Sequence, residues 1–143
     1  MKSINDNAPV KCSKTIKINA KPEKIWAVLT DIDNWNKWLT GVSKSTLNGK
    51  LEPDTTFDWK TGGMKIHSKL HTVEAFSNIG WTGKVYGINA IHNWTLKETN
   101  GSTEIIVSES MDGLLARLVK KSLNKTLEKD MLESLEQLKR ACE

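Results

Sequence analysis

The spacing of hydrophobic and polar positions changes period along this chain, and each change marks a boundary between elements. Lys14 to Ala20 (KTIKINA) alternates, with Ile16 and Ile18 on one side, and predicts a first strand. Pro22 then stands where a helix tolerates proline, in its first turn, and PEKIWAVLTD places Ile25, Trp26 and Leu29 on one helical face. DIDNWNKWL repeats the spacing of three and four with Ile32, Trp35 and Leu39, with Trp38 close by. Two short helices are predicted, neither long enough to stand alone. From Val42 to Met111 the period is two, and from Asp112 to Glu143 it is helical again.

The terminal stretch organises the rest. Asp112 is a candidate N-cap, Gly113 follows, and no Pro or Gly interrupts the run to Glu143. At about 100° per residue, Val119, Leu123, Leu127, Met131, Leu135, Leu138 and Cys142 share one face, with Ala116 and Ser134 in the same stripe. Lys121, Lys125, Lys129, Glu133, Glu136 and Lys139 fall opposite. A helix of about 28 residues is roughly 40 Å long. It needs a broad apolar surface beneath it, and the period-two region offers a sheet.

Gly49, Pro53 and Asp54 break the first two strands of that region, and four tight turns follow at Gly62-Gly63, Ser77-Asn78, Gly87-Ile88 and Asn100-Gly101. If all four are two-residue hairpins, register is set throughout and side chains segregate into two faces. One face collects Phe57, Trp59, Ile66, Leu70, Thr72, Glu74, Ile79, Trp81, Val85, His92, Trp94, Leu96, Ile105, Val107, Glu109 and Met111. Lysines, asparagines, His67 and His71 collect on the other, where Lys97 stands opposite Glu104. The apolar face is where the terminal helix docks.

Three rows cross this face: Glu74, Trp81, Trp94, Val107; Thr72, Gly83, His92, Glu109; and Leu70, Val85, Ala90, Met111. The middle row carries the candidate chemistry. Counted from Asn100-Gly101, His92 and Glu109 form a non-hydrogen-bonded pair, the kind whose side chains approach most closely. A buried carboxylate requires a partner or water. Three readings are open: the pair satisfies itself between sheet and helix; it orients the polar group of a ligand in a pocket; or it performs general acid/base catalysis. As a pocket, the site would be lined by Trp59, Leu70, Thr72, Trp81, Val85, His92, Trp94, Glu109, Met111, Leu123 and Leu127.

Composition excludes other classes. The chain has 143 residues, 38% hydrophobic and 27% charged, with no linker-like or repeated segment, which fits a single domain over residues 13–143 preceded by a flexible tail, residues 1–12. No apolar run approaches a membrane span, and the polar start of the chain is unlike a signal peptide, so a cytoplasmic location without stable membrane insertion is expected. The formal charge of +4 is too evenly spread for a nucleic-acid partner, although Arg117, Lys120, Lys121, Lys125 and Lys129 make the first half of the terminal helix basic. Cys12 and Cys142 lie far apart in sequence with no CxxC pattern and are expected to be reduced, a disulfide between them being the lesser option. His67 and His71, four apart on a strand, are about 13 Å from one another and cannot share a metal ion. No phosphate loop or nucleophile motif is present, and neither metal nor cofactor is expected. Leu114, Leu115 and Leu118 leave the main stripe, as lining for a portal, as packing under the short helices or as a dimer contact. Both monomer and homodimer remain open.

A strand, two short helices, a six-stranded meander and a long helix compose an α+β helix-grip arrangement. AKPEKIWAVLTDIDNWNKWL, IGWTGKVYG and IHNWTLKETNGSTEIIVSESMDGLL resemble the START-like (SRPBCC) superfamily, in its polyketide cyclase/dehydrase-like branch, over roughly Ser13 to Ala141. The resemblance implies a curved antiparallel sheet wrapped around the terminal helix, with a cavity between them for a small hydrophobic molecule such as a lipid, sterol or polyketide. It implies binding or transport for several members and cyclisation for a few, with others acting on protein partners. It places Trp81, His92 and Glu109 near the cavity and carries over no catalytic signature.

Overall fold

The structure, a computed structural model, describes residues 1–143. Strand β1 runs Val10–Ile18, with both end residues fully buried. It therefore starts inside the stretch assigned above to a flexible tail, because the alternation of Ile16 and Ile18 extends back through Cys12 to Val10. The residues before it lie against the sheet: the Asn5 amide donates to Ser110 Oγ at 2.9 Å and Asn93 Nδ2 donates to the Lys2 carbonyl at 2.7 Å.

Helix α1, Pro22–Thr30, begins on Pro22 and buries Ile25, Trp26 and Leu29 as expected. The next segment is a 3-10 helix, Ile32–Lys37, burying Ile32 and Trp35; the Trp35 indole N–H donates to the Leu29 carbonyl at 2.9 Å. Six further strands follow: β2 (Val42–Leu47), β3 (Thr56–Thr61), β4 (Met64–Glu74), β5 (Asn78–Val85), β6 (Ile88–Thr99) and β7 (Ser102–Asp112). All pairings are antiparallel, in the order β1-β7-β6-β5-β4-β3-β2.

Two of the four turns stand as predicted, Gly62-Gly63 and Asn100-Gly101, each with positive φ at both residues. The turn between β5 and β6 is Tyr86-Gly87 instead of Gly87-Ile88, since Val85 pairs with Ile88. This register buries Ile88 to 9% exposure at the cost of placing Tyr86 at φ +47°. Strands β4 and β5 are joined by three residues, Ala75 to Ser77, with Phe76 at φ +65°. The extra residue would turn every β4 side chain to the wrong face; an irregularity between Leu70 and Thr72, at His71, turns them back. Leu70 stays inward opposite Trp81.

The terminal helix is divided. Asp112 ends β7 and accepts from the Gly113 amide at 2.8 Å, Gly113 is the N-cap of α2 (Leu114–Leu118), and α3 (Lys120–Cys142) begins after a break at Val119, φ −118° and ψ 29°. Helix α2 packs on β6 and β7 whereas α3 packs on β1 and α1, so the chain must change direction between them. Val119 consequently leaves the apolar stripe and is 42% exposed, while Leu127, Met131, Leu135, Leu138 and Cys142 are buried. Asn124 of α3 secures the free edge of the sheet, accepting from the Lys11 amide (3.1 Å) and donating to the Pro9 carbonyl (2.9 Å).

Candidate functional site

Register alone builds the central row of the inner, helix-facing side. Cys12 is opposite Glu109, Glu109 opposite His92, His92 opposite Trp81, and Trp81 opposite Leu70. The His92–Glu109 pair lies where the sequence places it. Its neighbours do not: the shift at Tyr86-Gly87 moves β5 by two residues, so Trp81 and not Gly83 flanks His92. Gly83 instead pairs with Ala90 and Ser68.

His92 Nδ1 lies 2.9 Å from Glu109 Oε1, with the two side chains 17% and 13% exposed. The imidazole stacks on the Trp81 indole, ring centroids 4.7 Å apart and planes inclined by 7°. The Trp94 ring is also close, with centroids 5.6 Å apart and planes inclined by 38°. An ionised Glu109 only accepts, so the pair sets the imidazole proton on Nδ1 and leaves the Nε2 lone pair unshared in the neutral ring. His92 Nε2 and Trp94 Nε1 are both buried without a hydrogen-bond partner in the protein.

Trp35 wedges beneath this row, 5.6 Å from both Trp59 and Trp81 and 5.5 Å from Phe57. Trp59 Nε1 donates to Ser68 Oγ at 3.1 Å. Aromatic rings thus occupy the interior under β3 to β5, and Trp35, expected from its spacing on the buried side of a short helix, enters among them. A wedge from a helix outside the sheet cannot be read from strand register.

Burial is graded along the inner face. Toward the Asn100-Gly101 end, Leu96, Ile105 and Val107 are almost or wholly inaccessible, as are Leu135 and Leu138 of α3. Toward the α2 end, Trp59, Val85, Met111 and Leu123 are half-buried, together with His92 and Glu109. Exposure on the inner face therefore rises toward the α2 end. Leu70, Trp81, Trp94 and Leu127 lie deeper, all buried.

Thr72 does not belong to this group. The irregularity at His71 pairs it with Gly80 on the outer side of the sheet, where Thr72 Oγ1 lies 2.8 Å from His71 Nδ1. Glu74 is likewise outward and exposed, accepting from Asn78 Nδ2 at 2.7 Å. Cys12, missed as part of an expected tail, faces Glu109. Cys12 and Cys142 are both free thiols, and burial pushes both up from the usual thiol value. On α3, loss of solvent raises the Asp130 carboxyl, with Glu133 and Glu109 adding. A separate recess of about 680 Å³ lies over the outer side of β5 to β7, against Lys2, Asn5, Lys84, Asn89, Asp112 and Arg117. Most of its lining residues are polar or charged, and it is distinct from the inner face.

Residues 9–143 match the family model described as polyketide cyclase / dehydrase and lipid transport. No curated protein matches the sequence. Among solved structures, the hypothetical protein jhp0584 from Helicobacter pylori is similar over 100% of this chain and 98% of its own, with a TM-score of 0.86 at 17% identity. The di-domain ARO/CYC StfQ of the steffimycin biosynthetic pathway is similar over 93% of this chain and 50% of its own (TM-score 0.80, 12% identity). A START superfamily protein from Mycobacterium smegmatis is similar over 88% and 94% (TM-score 0.71, 16% identity). At these identities the likeness is one of fold, and the fold is the START-like helix grip.

Proposed function

The chain belongs to the polyketide cyclase/dehydrase and lipid transport family, and on that premise we propose that it holds one small, largely apolar molecule against the inner face, entering from the α2 end. Trp59, Val85, Met111 and Leu123 form its walls near the entrance, with Leu70, Trp81, Trp94 and Leu127 deeper. His92 and Glu109 supply the polar end. The observation that carries this assignment is His92 Nε2, buried and without a protein partner on a face made mainly of aromatic and aliphatic groups. A buried acceptor of that kind favours a ligand that brings a donor, such as a hydroxyl.

Native mass spectrometry of protein purified from its own host, followed by organic extraction, tests this directly. A stoichiometric apolar adduct is expected, and His92→Ala should reduce its retention about tenfold, the worth of one buried hydrogen bond. Retention unchanged in His92→Ala would remove His92 from the site, and failure of any apolar molecule to bind would remove the site.

A second reading draws on the same geometry. An imidazole oriented at Nδ1 by a carboxylate, with Nε2 left without a protein partner, is the arrangement of a positioned general base. Cyclase-like turnover with a pH dependence abolished in Glu109→Gln would favour it over binding alone.

A further inference from the structure

The α2 end of the molecule carries an apolar surface that the packing does not use. Leu114 is 75% exposed, Leu118 72%, Tyr86 70%, Val119 42% and Leu115 39%. They form one region, because Gly113 at the start of α2 sits directly against the Gly87 carbonyl in the Tyr86-Gly87 turn. Only Ala116 of α2 is buried. Tyr86 is unfavourable twice over, as an exposed aromatic and as a non-glycine residue at φ +47°.

The charge around these side chains is predominantly positive. Residues 113–127 include Arg117, Lys120, Lys121 and Lys125 and no acid, and Lys84 stands beside the same turn, lining a recess with Leu114 and Arg117. Asp112, which lines the same recess, is engaged by Arg117 at 3.3 Å. Protruding leucines, a tyrosine and flanking cations are the composition of a surface that settles into the headgroup region of a bilayer. We propose that this end adsorbs peripherally to an anionic lipid surface, with Leu114, Leu118 and Tyr86 entering the interface and Arg117, Lys120 and Lys121 meeting lipid phosphates. A second copy of the chain is disfavoured as occupant, since a twofold contact would set these cations against themselves. The surface is argued from exposure and charge, independently of any molecule held on the inner face.

Co-sedimentation of the full chain with vesicles provides the test. Binding is expected to vesicles of phosphatidylcholine with one-third phosphatidylglycerol, weakened by high salt, and negligible on phosphatidylcholine alone. Leu114→Ser/Leu118→Ser and Lys120→Glu/Lys121→Glu, all at exposed positions, should each weaken binding about tenfold or more with unchanged circular dichroism and melting. The proposal is overturned by absence of binding to the anionic vesicles, by binding indifferent to the leucine pair, or by a wild-type dimer in sedimentation equilibrium that the leucine variant converts to monomer.

Discussion

The imidazole of His92 lies flat on the indole of Trp81, with centroids 4.7 Å apart and planes 7° from parallel. The stack fixes the ring's plane and the contact to Glu109 fixes its rotation about that plane. Two neighbours on adjacent strands thereby hold one nitrogen of His92 in a defined direction without touching it.

Removing the carboxylate should reveal how far the pair supports the fold. Glu109→Ala leaves His92 Nδ1 unpartnered on a mostly buried face and is expected to cost about 1–3 kcal/mol, whereas Glu109→Gln keeps an acceptor oxygen and should cost less, near 1 kcal/mol. Urea unfolding midpoints of the two variants decide it. Equal losses would mean that the hydrogen bond contributes little beyond the packing of the side chain.

A single methyl group on the outer side should be just as disruptive. A Cβ at Gly80 would overlap the His71 ring and Asn93 Oδ1, and Asn93 cannot yield without releasing the Lys2 carbonyl. Gly80→Ala is expected to destabilise by about 1–3 kcal/mol, as overpacking does. His71→Ala in the same chain should recover part of that loss in thermal unfolding, and strict additivity of the two substitutions would refute the clash.

Acid should loosen the same region. Burial holds the His71 imidazole below its ordinary value, with Lys2 adding to the effect and Asn93 opposing it. The unfolded chain takes up the proton first, so stability is full above about pH 6.5 and declines as pH falls from there toward the lower folded value. Denaturation midpoints measured from pH 7.5 to 5 should fall, and His71→Gln should fall less steeply. A parallel slope in the variant would assign the acid sensitivity to other groups.

The inner face was legible in the sequence wherever burial and turn chemistry agreed. Asn100-Gly101 admits one register, and with it came the opposition of His92 and Glu109. At Gly87 the turn residue allowed two registers, and the burial of Ile88 chose the one that the turn pattern did not favour. Both registers keep the same faces, which is why Trp81, Trp94 and Val85 were correctly placed inward even though the rows between them had shifted. Thr72 was lost because an extra turn residue and an irregularity at His71 cancel for Leu70 but not beyond it.

By itself, the sequence determined where helical and extended periods alternate, the inward side chains of β3 and of β5 to β7, and the His92–Glu109 pair, since these follow from periodicity and from local turn geometry. Tertiary structure decided which residues meet across β4, β5 and β6, where Trp35 enters and where the terminal helix divides at Val119. It also decided that burial falls off along the inner face toward the α2 end. Those outcomes depend on how separately formed elements compete to bury Ile88, Ala116 and the α3 stripe at once, and no local pattern encodes that competition.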